Sequence, residues 1–258
     1  MGQSEPVLIS VITVCLNAQK HIEQTIRSVL EQTYRFVEYI IVDGGSTDGT
    51  CDIIDRYRNR ISHVVSEKDS GIADAMNKGI SLASGEYILF LHADDYLADA
   101  HVLDNVSPFL GTADIVACPI KFGEKLATVW PRGVNFRLNF KGIPHQGVLC
   151  RRDVLKRLNG FDIRFKVCMD YDFFLRAYRS KARFARAPVV LSVMRDTGIS
   201  SRRDWRSLEE RFSEERMAHE KNCPSALMHL CYILYWSLYI PYRRILYALG
   251  NSGRDSRL

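Results

Sequence analysis

The chain has 258 residues, of which 47% are hydrophobic and 25% are charged, and its formal net charge is +5 at pH 7. These proportions are those of an ordinary globular protein with one large core or two modest ones. The mild positive charge favours anionic partners such as phosphate esters or acidic lipid headgroups, whereas a nucleic acid would require a denser basic stripe, so no nucleic-acid partner is expected.

The start of the chain lacks the features of a secretory signal, because residues 7–16 have the pattern of a first β-strand. A cytoplasmic location is therefore expected. The seven cysteines form no Cys-X-X-Cys pair and lie mostly in apolar contexts. They are predicted to be reduced, buried residues and neither zinc ligands nor disulfide partners.

Strands and helices alternate through the first hundred residues. Short hydrophobic runs predict strands at 8–14, 39–42, 63–66 and 87–91. Apolar residues at helical spacing predict helices near 22–30, at 50–60 and at 72–83. This alternation predicts right-handed βαβ units, hence an α/β fold with a mostly parallel sheet and helices on its faces.

Polar residues follow all four predicted strands. In chain order they are Asn17, Asp43, Glu67 with Asp69, and Asp94 with Asp95. Ligands of an open parallel sheet bind beyond the carboxyl ends of the strands, which meet in one crevice. Several carboxylates in one crevice repel each other, and a bound cation offsets this repulsion. The pattern therefore favours a ligand site over ordinary loop polarity.

Asp94 and Asp95 are the most informative of these acids, because they are adjacent. Both stay ionised only if water, basic groups or a cation offset their charges. On its own the dipeptide is also compatible with a solvated turn. Together with the acids that follow the other strands, it predicts a bound metal.

Asp43 begins the sequence DGGSTDGT, whose glycines allow a sharp turn from strand to helix. The segment is neither a GxGxxG motif nor a Walker P-loop, so a dinucleotide-binding or P-loop function has little support. The Asp43 carboxylate can accept a hydrogen bond from the N3–H of a uracil ring. Its alternative role is that of a turn-forming carboxylate.

Several segments, in this order, resemble one known family. They are ISVITVCLNAQKHIEQTIRSVLEQTY, YIIVDGGSTDGT, DSGIADAMNKGISLASGEYILFLHADD, HQGVLCRR, NGFD and MDYDFFLR. Together they resemble the family 2 glycosyltransferases with a GT-A fold, in particular the bacterial subgroup that builds exopolysaccharide, capsule and O-antigen repeat units. The resemblance spans residues 7–200. It implies a catalytic domain at 1–200 and a helical segment at 201–258.

The resemblance also implies a UDP-sugar donor and a set of residues that bind its nucleotide. These residues are Asn17, Asp43, Asp69, Asn77, Lys78, Asp95 and Arg195. Within this set Asp43 is implied to bind uracil. The segment 196–200, which follows Arg195, resembles a Gly-rich lid over the diphosphate.

A divalent metal, Mn²⁺ or Mg²⁺, is implied by the match of Asp94 to the last acid of the family's DXD motif. His92 stands where many family members have the first Asp of that motif. The resemblance leaves His92 open as a ligand of the metal or ribose, or as a structural histidine.

Asp170 falls where the family has its catalytic base, although Met169 replaces the commoner acid before it. Asp172, two residues later, opens an amphipathic helix and is predicted to cap it or to interact with its dipole. His145 and Gln146 resemble the family's acceptor-side pair. The implied reaction is direct displacement with inversion, in which Asp170 removes the proton of the acceptor hydroxyl.

The leading interpretation is an inverting glycosyltransferase that moves a hexosyl or N-acetylhexosaminyl group from UDP to a hydroxyl of a glycan, expected to be lipid-linked. The departures at His92 and Met169 keep open a catalytically degenerate protein that binds sugar nucleotides. A nucleotidyltransferase is a third possibility, but it would carry a Gly-rich basic loop near the N-terminus, which is absent between Leu16 and His21.

The C-terminal part begins with alternating arginines and glutamates, which predict a solvated helix with i,i+4 ion pairs. The apolar segment 226–240 is too short, at about 1.5 Å per residue, to cross a hydrocarbon core of about 30 Å, and Pro241, Arg243 and Arg244 interrupt the apolar pattern that follows it. Residues 226–249 suit a helix in the headgroup region of an anionic membrane, on the cytoplasmic face of the inner membrane. The alternative is a helix packed on the catalytic domain or at a dimer contact.

Overall fold

The computed structural model describes residues 6–131, 135–198 and 201–250. The strands are β1 Ile9–Cys15, β2 Val37–Asp43, β3 His63–Ser66, β4 Tyr87–Phe90, β5 Tyr96–Leu97, β6 Ile115–Ala117, β7 Ile120–Phe122, β8 Ala127–Val129, β9 Val148–Arg151, β10 Phe184–Arg186 and β11 Ser192–Met194. The helices are α1 Ile22–Leu30, α2 Thr50–Arg56, α3 Ile72–Leu82, α4 Val102–Val106, α5 Arg152–Arg157, α6 Met169–Arg179, α7 Trp205–Lys221 and α8 Ala226–Ala248. Short 3₁₀ turns lie at Arg58–Arg60, Ser107–Phe109, Phe136–Asn139 and His145–Gly147.

Seven strands form the central sheet in the order β10-β6-β9-β4-β1-β2-β3. Strands β4, β1, β2 and β3 are mutually parallel, as are β10 and β6, and only β9 runs antiparallel to its neighbours. A smaller sheet has the order β5-β11-β7-β8. The prediction of an α/β fold with a mostly parallel sheet is confirmed.

The core lies on both faces of the central sheet, and β1 shows why. All seven of its residues are buried. Ile12 and Val14 belong to the apolar cluster that contains residues of α3 and α6, whereas Ile9 and Val11 belong to the cluster with residues of α1 and α2. Successive side chains of a strand point to opposite faces, so a strand between two helix layers is buried on both sides and mostly apolar. The two polar residues of β1, Ser10 and Thr13, are hydrogen-bonded to side chains of β2.

The predicted helix at 50–60 is shorter than expected. The α-helix ends at Arg56, and a 3₁₀ turn follows at Arg58–Arg60. The Tyr57 hydroxyl donates to Glu23 Oε1 at 2.7 Å, and the Arg60 guanidinium donates to the carbonyl oxygen of Leu30 at 2.8 Å. Both contacts are with residues of α1, and they hold the 3₁₀ turn in place before the chain enters β3.

All seven cysteines are free. Four of them are buried, and Cys51, Cys223 and Cys231 are partly exposed. The expected reduced state is therefore compatible with the structure, but three of the cysteines are less buried than their apolar sequence contexts predict.

The last helix, α8, continues through Pro241 and ends at Ala248, close to the end of the segment 226–249 that the sequence predicts as one helix. Pro241 has no N–H to donate to the carbonyl of Ser237. Both residues lie on the exposed side of the helix, where water can satisfy that carbonyl. Among the residues that the structure describes, no helix combines the length and apolarity needed to cross a membrane.

His219 joins α7 to both α6 and α8. Its Nε2 lies 2.7 Å from the Tyr171 hydroxyl, and its Nδ1 accepts a hydrogen bond of 3.0 Å from the indole of Trp236. The ring also stacks on Tyr232 with a centroid distance of 4.1 Å. Burial, followed by the charge of Arg179, lowers the pKa of His219 to about 3, so the imidazole is neutral and both nitrogens are satisfied within the protein.

Candidate active site

A cavity of about 430 Å³ lies at the carboxyl end of β4, between the turn at His145–Gly147 and the first turn of α6. It is lined by seven of the predicted site residues: His92, Asp94, Asp95, His145, Gln146, Asp170 and Arg195. They come from four separate stretches of the chain. The structure thus brings together the predicted base, the predicted metal ligands and the predicted acceptor-side pair.

Asp170 and His145 form a side-chain pair in this cavity. His145 Nδ1 lies 3.0 Å from Asp170 Oδ2, and the amide of Tyr171 donates to Asp170 Oδ1 at 2.7 Å. The two side chains are 15% exposed for His145 and 22% exposed for Asp170. Both oxygens of the carboxylate are therefore oriented, and a charged or polar acceptor can still reach it from the cavity.

His92 lies against His145, with 4.5 Å between the ring centroids. Burial and then the neighbouring His145 hold the pKa of His92 well below its usual value, so its ring is neutral. The Nε2 atoms of both histidines are buried and have no hydrogen-bond partner within the described residues. A buried polar atom without a partner is costly, so a bound group that meets these nitrogens would be stabilising.

The adjacent acids Asp94 and Asp95 have different surroundings. Asp95 is 1% exposed, and its Oδ1 accepts a hydrogen bond of 3.0 Å from the Arg195 amide. Burial, together with the charge of Asp94, raises the pKa of Asp95 well above its usual value. Asp94 is partly exposed, and its Oδ2 accepts a hydrogen bond of 3.3 Å from the Thr197 hydroxyl. Asp94 is the acid that remains open to a ligand.

Arg195 is the cation beside these acids. Its guanidinium donates to the carbonyl oxygen of Asp94 and to Gln24 Oε1, and it lies 5.0 Å from the centroid of the Tyr96 ring. These contacts hold a permanent positive charge at the edge of the cavity. The lid expected at 196–200 includes residues 199 and 200, which lie outside the described residues.

The predicted uracil ligand Asp43 is fully buried and is hydrogen-bonded by its own turn and by Ser66 at the end of β3. Its Oδ2 accepts from the amides of Gly45 and Ser46 at 3.1 and 3.0 Å and from the Ser66 hydroxyl at 2.7 Å, and its Oδ1 accepts from the Ser46 hydroxyl. Burial alone would raise its pKa, but the hydrogen bonds from Ser46 and Ser66 outweigh burial and lower it. Asp43 therefore has the turn-forming role; its contact with uracil stays a prediction.

Asn17 and Asp69 flank the same turn. Asn17 has a positive φ of 50°, which asparagine tolerates, and its Oδ1 accepts from the amide of Thr47 at 2.9 Å. Asp69 lies so close to Gly44 that a Cβ at Gly44 would be 2.4 Å from Asp69 Oδ2. The ends of β1, β2 and β3 therefore meet as the sequence predicts, at a place outside the lining of the cavity.

Asn77 and Lys78 lie on α3 and also have partners within the protein. The Asn77 side chain donates to the carbonyl oxygen of Phe161 and accepts from its amide, both at 2.8 Å. Gly160, which precedes Phe161, has a φ of +60°, and a Cβ at Gly160 would lie 2.3 Å from Asn77 Oδ1. Lys78 Nζ lies 2.8 Å from Glu67 Oε1. Asn77 thus fixes the NGFD segment, and Lys78 bridges α3 to the loop after β3.

The cavity can hold a metal only with help from a ligand. Within the described ranges, no group of three or more His, Cys, Asp or Glu side chains is arranged to bind a metal ion. Asp94 offers one open carboxylate, and the unpartnered Nε2 of His92 is a neutral nitrogen in the same cavity. Mg²⁺ in phosphate-transfer sites is commonly held by one or two carboxylates plus phosphate oxygens and water. The residues fit such a site.

The sequence did not reveal one wall of the cavity. It is built by the segment 137–141 and by α7 and α8, through Arg137, Lys141, Arg211, Glu215, Tyr235 and Tyr239. Tyr235 and Tyr239 stack with a centroid distance of 5.0 Å, and Arg211 pairs with Glu215 at 3.0 Å. The four-residue spacing of both pairs was a visible signal, but it predicted only helix formation.

The expectation that α7 is a solvated helix is wrong for its inner face. The Glu214 carboxylate accepts hydrogen bonds of 2.8 Å from three successive amides, those of Lys166, Val167 and Cys168. These amides immediately precede α6, whose first turn carries Asp170. A charge-assisted anchor at this point fixes the position of the predicted base from the C-terminal part of the chain.

The mostly parallel sheet with acids beyond its strands, the DXD-like segment and the cavity define the GT-A class of glycosyltransferase. Residues 10–184 match the family model described as Glycosyl transferase family 2, so the chain belongs to that family. The first domain at 1–200 includes this whole match, although its boundary stays a prediction.

Similar proteins carry glycosyltransferase names. A Mycobacterium bovis "PGL/p-HBAD biosynthesis glycosyltransferase" is 32% identical over 192 residues, which is 69% of this chain and 73% of the relative. The Bacillus subtilis "Putative teichuronic acid biosynthesis glycosyltransferase TuaG" is 48% identical over 91 residues, covering 34% of this chain and 36% of the relative. The chain is accordingly a transferase of the glycosyl-transfer class.

Two solved structures share the fold. S. aureus TarS 1-349 in complex with UDP-GlcNAc has a TM-score of 0.66 at 18% identity, over 83% of this chain and 71% of that chain. The mannosyltransferase PcManGT from Pyrobaculum calidifontis, in complex with GDP-Man and Mn²⁺, has a TM-score of 0.63 at 20% identity, over 98% of this chain and 89% of that chain. This chain spans only 39% of a longer TarS structure. At these identities the likeness establishes the fold.

Proposed function

We propose that this protein is an inverting glycosyltransferase that moves a hexosyl or N-acetylhexosaminyl group from a UDP-sugar to a hydroxyl of a glycan acceptor. The observation that carries the proposal is the Asp170 carboxylate, which shares one cavity with Asp94 and Arg195 and is oriented by His145 at 3.0 Å. The TarS complexes with UDP and UDP-GlcNAc support a uridine donor, although PcManGT binds GDP-Man.

The reaction requires a base on one side of the sugar and positive charge on the other. As UDP leaves, negative charge develops on the β-phosphate oxygen and positive charge develops near the anomeric carbon. Arg195 is held beside Asp94 and can face the diphosphate. Asp170 takes the proton of the acceptor hydroxyl, which then attacks the anomeric carbon from the face opposite to UDP. The configuration is inverted because the displacement is direct.

His145 supports this base in two ways. Its contact with Asp170 Oδ2 fixes the carboxylate in one orientation, so that less freedom is lost when the acceptor binds. Its position beside Gln146, on the turn before β9 that lines the cavity, supports the proposed acceptor-side role of the pair. Gln146 hydrogen-bonds the Asp95 carboxylate, and thus joins this turn to the DXD-like segment.

A divalent cation, Mn²⁺ or Mg²⁺, fits the proposal, with Asp94 as its carboxylate ligand and His92 as a candidate nitrogen ligand. Bound there, it supplies Lewis-acid stabilisation of the leaving diphosphate. The carboxyl group of Asp95 is buried, so its proposed donor-side role is indirect. It holds Arg195 in position by accepting a hydrogen bond from the Arg195 amide.

Calorimetric titration with UDP, with and without Mn²⁺, tests the donor site. We expect binding that is selective for UDP over GDP and CDP and is stronger with the metal. Preference for GDP would indicate a GDP-sugar as the donor in place of the proposed UDP-sugar. Binding of UDP without release of UDP from any UDP-sugar in the presence of acceptors would favour the degenerate binding protein, and release of pyrophosphate would favour a nucleotidyltransferase.

Replacement of Asp94 by alanine is expected to abolish the gain in UDP affinity that Mn²⁺ gives. The reason is that, of the two adjacent acids, Asp94 is open to the cavity, whereas Asp95 is buried. Asp99→Ala, at an exposed acid further along the chain, is the control and should leave the gain unchanged. A metal-dependent gain in the Asp94 variant equal to that of the parent would exclude Asp94 as the ligand.

A further inference from the structure

The outward side of α8 is apolar. Five large aliphatic residues on it, between 52% and 73% exposed, define what we call the outer face of α8. They are Leu227, Leu230, Leu234, Leu238 and Ile245. Their spacing of three, four, four and seven residues keeps them on one side of the helix, over about 27 Å at 1.5 Å per residue.

The opposite side of α8 is already packed on the protein. Met228, Tyr232 and Trp236 are buried there in a cluster with Leu208 and Phe212 of α7. A helix at a protein surface normally carries polar residues on its outward side, so a helix that is apolar on both sides needs a second apolar environment. Contiguous exposed apolar patches of this kind mark interaction sites.

Arginines lie beside one end of the outer face. The start of α7 packs against the end of α8 through Trp205 and Tyr247, whose ring centroids are 5.5 Å apart. The Arg244 guanidinium lies 5.4 Å from the Trp205 ring centroid. The side chains of Arg206 and Arg244 are 89% and 71% exposed. Their only acidic neighbours within 4 Å among the described residues are Glu210 and Glu209, respectively, which are themselves exposed.

Arg202 and Arg203 are also exposed and precede α7 by a few residues. The end of α8 therefore has Arg244 on the helix itself, and the segment that packs against it through Trp205 carries three further exposed arginines. Long basic side chains of this kind bind lipid phosphates, while aliphatic residues enter the boundary between headgroups and acyl chains.

We infer that the outer face of α8 docks on the surface of a bilayer that contains anionic lipids, with the helix lying in the plane of the headgroups. The helix is not apolar enough to span the bilayer, which favours an interfacial position over insertion. The chemistry that the surface recognises is a phosphate headgroup above hydrocarbon. A second copy of this chain would cover the same leucines but would bring no phosphate to the arginines.

The inference deepens the proposed function, on which it rests for the nature of the acceptor. Tyr235 and Tyr239, on the inner side of α8, line the cavity that contains Asp170. One helix therefore has the bilayer on one side and the proposed acceptor site on the other. The fitting acceptor is a glycan carried by a membrane lipid, held at a peripheral enzyme on the membrane face where UDP-sugars are present.

Flotation of the purified protein with phosphatidylcholine vesicles, with and without phosphatidylglycerol, tests the docking surface. We expect flotation with the anionic vesicles, weakened by salt because the arginines contribute. The triple variant Leu230→Gln/Leu234→Gln/Leu238→Gln should bind at least about tenfold more weakly, because apolar contact area is lost. Its fold should persist, because the replaced side chains are exposed and glutamine is a good helix former.

The control is the double variant Leu126→Gln/Ile163→Gln, which removes exposed apolar side chains outside α8 and should float like the parent. Equal flotation of parent and triple variant, or no flotation of the parent, would overturn the inference. A parent dimer that the triple variant converts to a monomer, without flotation, would assign the face to a second copy. UDP titration of the same samples separates this outcome from failure of the proposed function, because nucleotide binding does not require the bilayer.

Discussion

Replacement of Asp170 by asparagine should lower the rate of sugar transfer at least about a hundredfold, because a positioned base is typically worth about two to four decades of rate. Asparagine keeps the shape of the side chain, and its carbonyl oxygen can still accept from His145 or from the amide of Tyr171. It cannot take the proton of the acceptor hydroxyl. The measurement is release of UDP from a UDP-sugar with a glycan acceptor, in parallel with UDP titration.

UDP affinity should be unchanged in the Asp170 variant, since the proposed nucleotide contacts lie on other segments. Asp153→Asn is the matched control, because Asp153 is also an acid in the first turn of a helix and its side chain is 66% exposed. It should transfer sugar at the parent rate. Near-parent transfer by the Asp170 variant would remove this residue from the role of base and would leave His145 as the nearest candidate in the cavity.

The fold could be predicted from local patterns because each strand and helix has a recognisable sequence pattern over a few residues. The run IVDGG ends β2 with a glycine turn, and the apolar spacing of Ile22, Ile26 and Val29 gives α1 its buried face. Parallel strands then place their carboxyl ends together by topology alone. This is why Asn17, Asp43 and Asp69, which are far apart in sequence, could be predicted to meet.

The cavity was less predictable because its walls depend on contacts between distant segments. The pairing of His145 with Asp170, and of Glu214 with the amides before α6, depends on how the helices pack. The internal role of Asn77 was equally hidden, since its partner Phe161 lies 84 residues later. A residue type and its spacing can indicate which chemistry is available, but they do not indicate which polar groups are already satisfied by the protein.

Asp172 shows the same limit most clearly and leads to the second large effect. It lies in the first turn of α6, as predicted, but it makes no cap, because the helix begins after Cys168 without a side-chain hydrogen bond. Its fully buried carboxylate instead accepts from Arg176 Nε at 2.8 Å and from Asn222 Nδ2 at 2.9 Å, and lies 3.1 Å from Lys221 Nζ. One acid therefore ties α6 to the end of α7.

Asp172→Ala should lower the free energy of unfolding by about 3 to 5 kcal/mol, the usual cost of removing one partner of a buried ion pair. Arg176 would keep its hydrogen bonds to the carbonyl oxygens of Leu158 and Gly160 but would lose the charge that balances it. Urea denaturation measures the effect as a lower midpoint with an unchanged slope. Asp55→Ala, which removes an acid whose side chain is 64% exposed and which pairs with Arg58, should cost less than about 1 kcal/mol.

The result separates a structural role of Asp172 from a catalytic one, which matters because it lies two residues from Asp170. A variant that is much less stable but transfers sugar normally at low temperature confirms that Asp172 only supports the packing of α6 on α7. Full stability together with lost transfer would instead place Asp172 in the reaction. We expect the first outcome, because its carboxylate has no exposed surface from which to reach an acceptor.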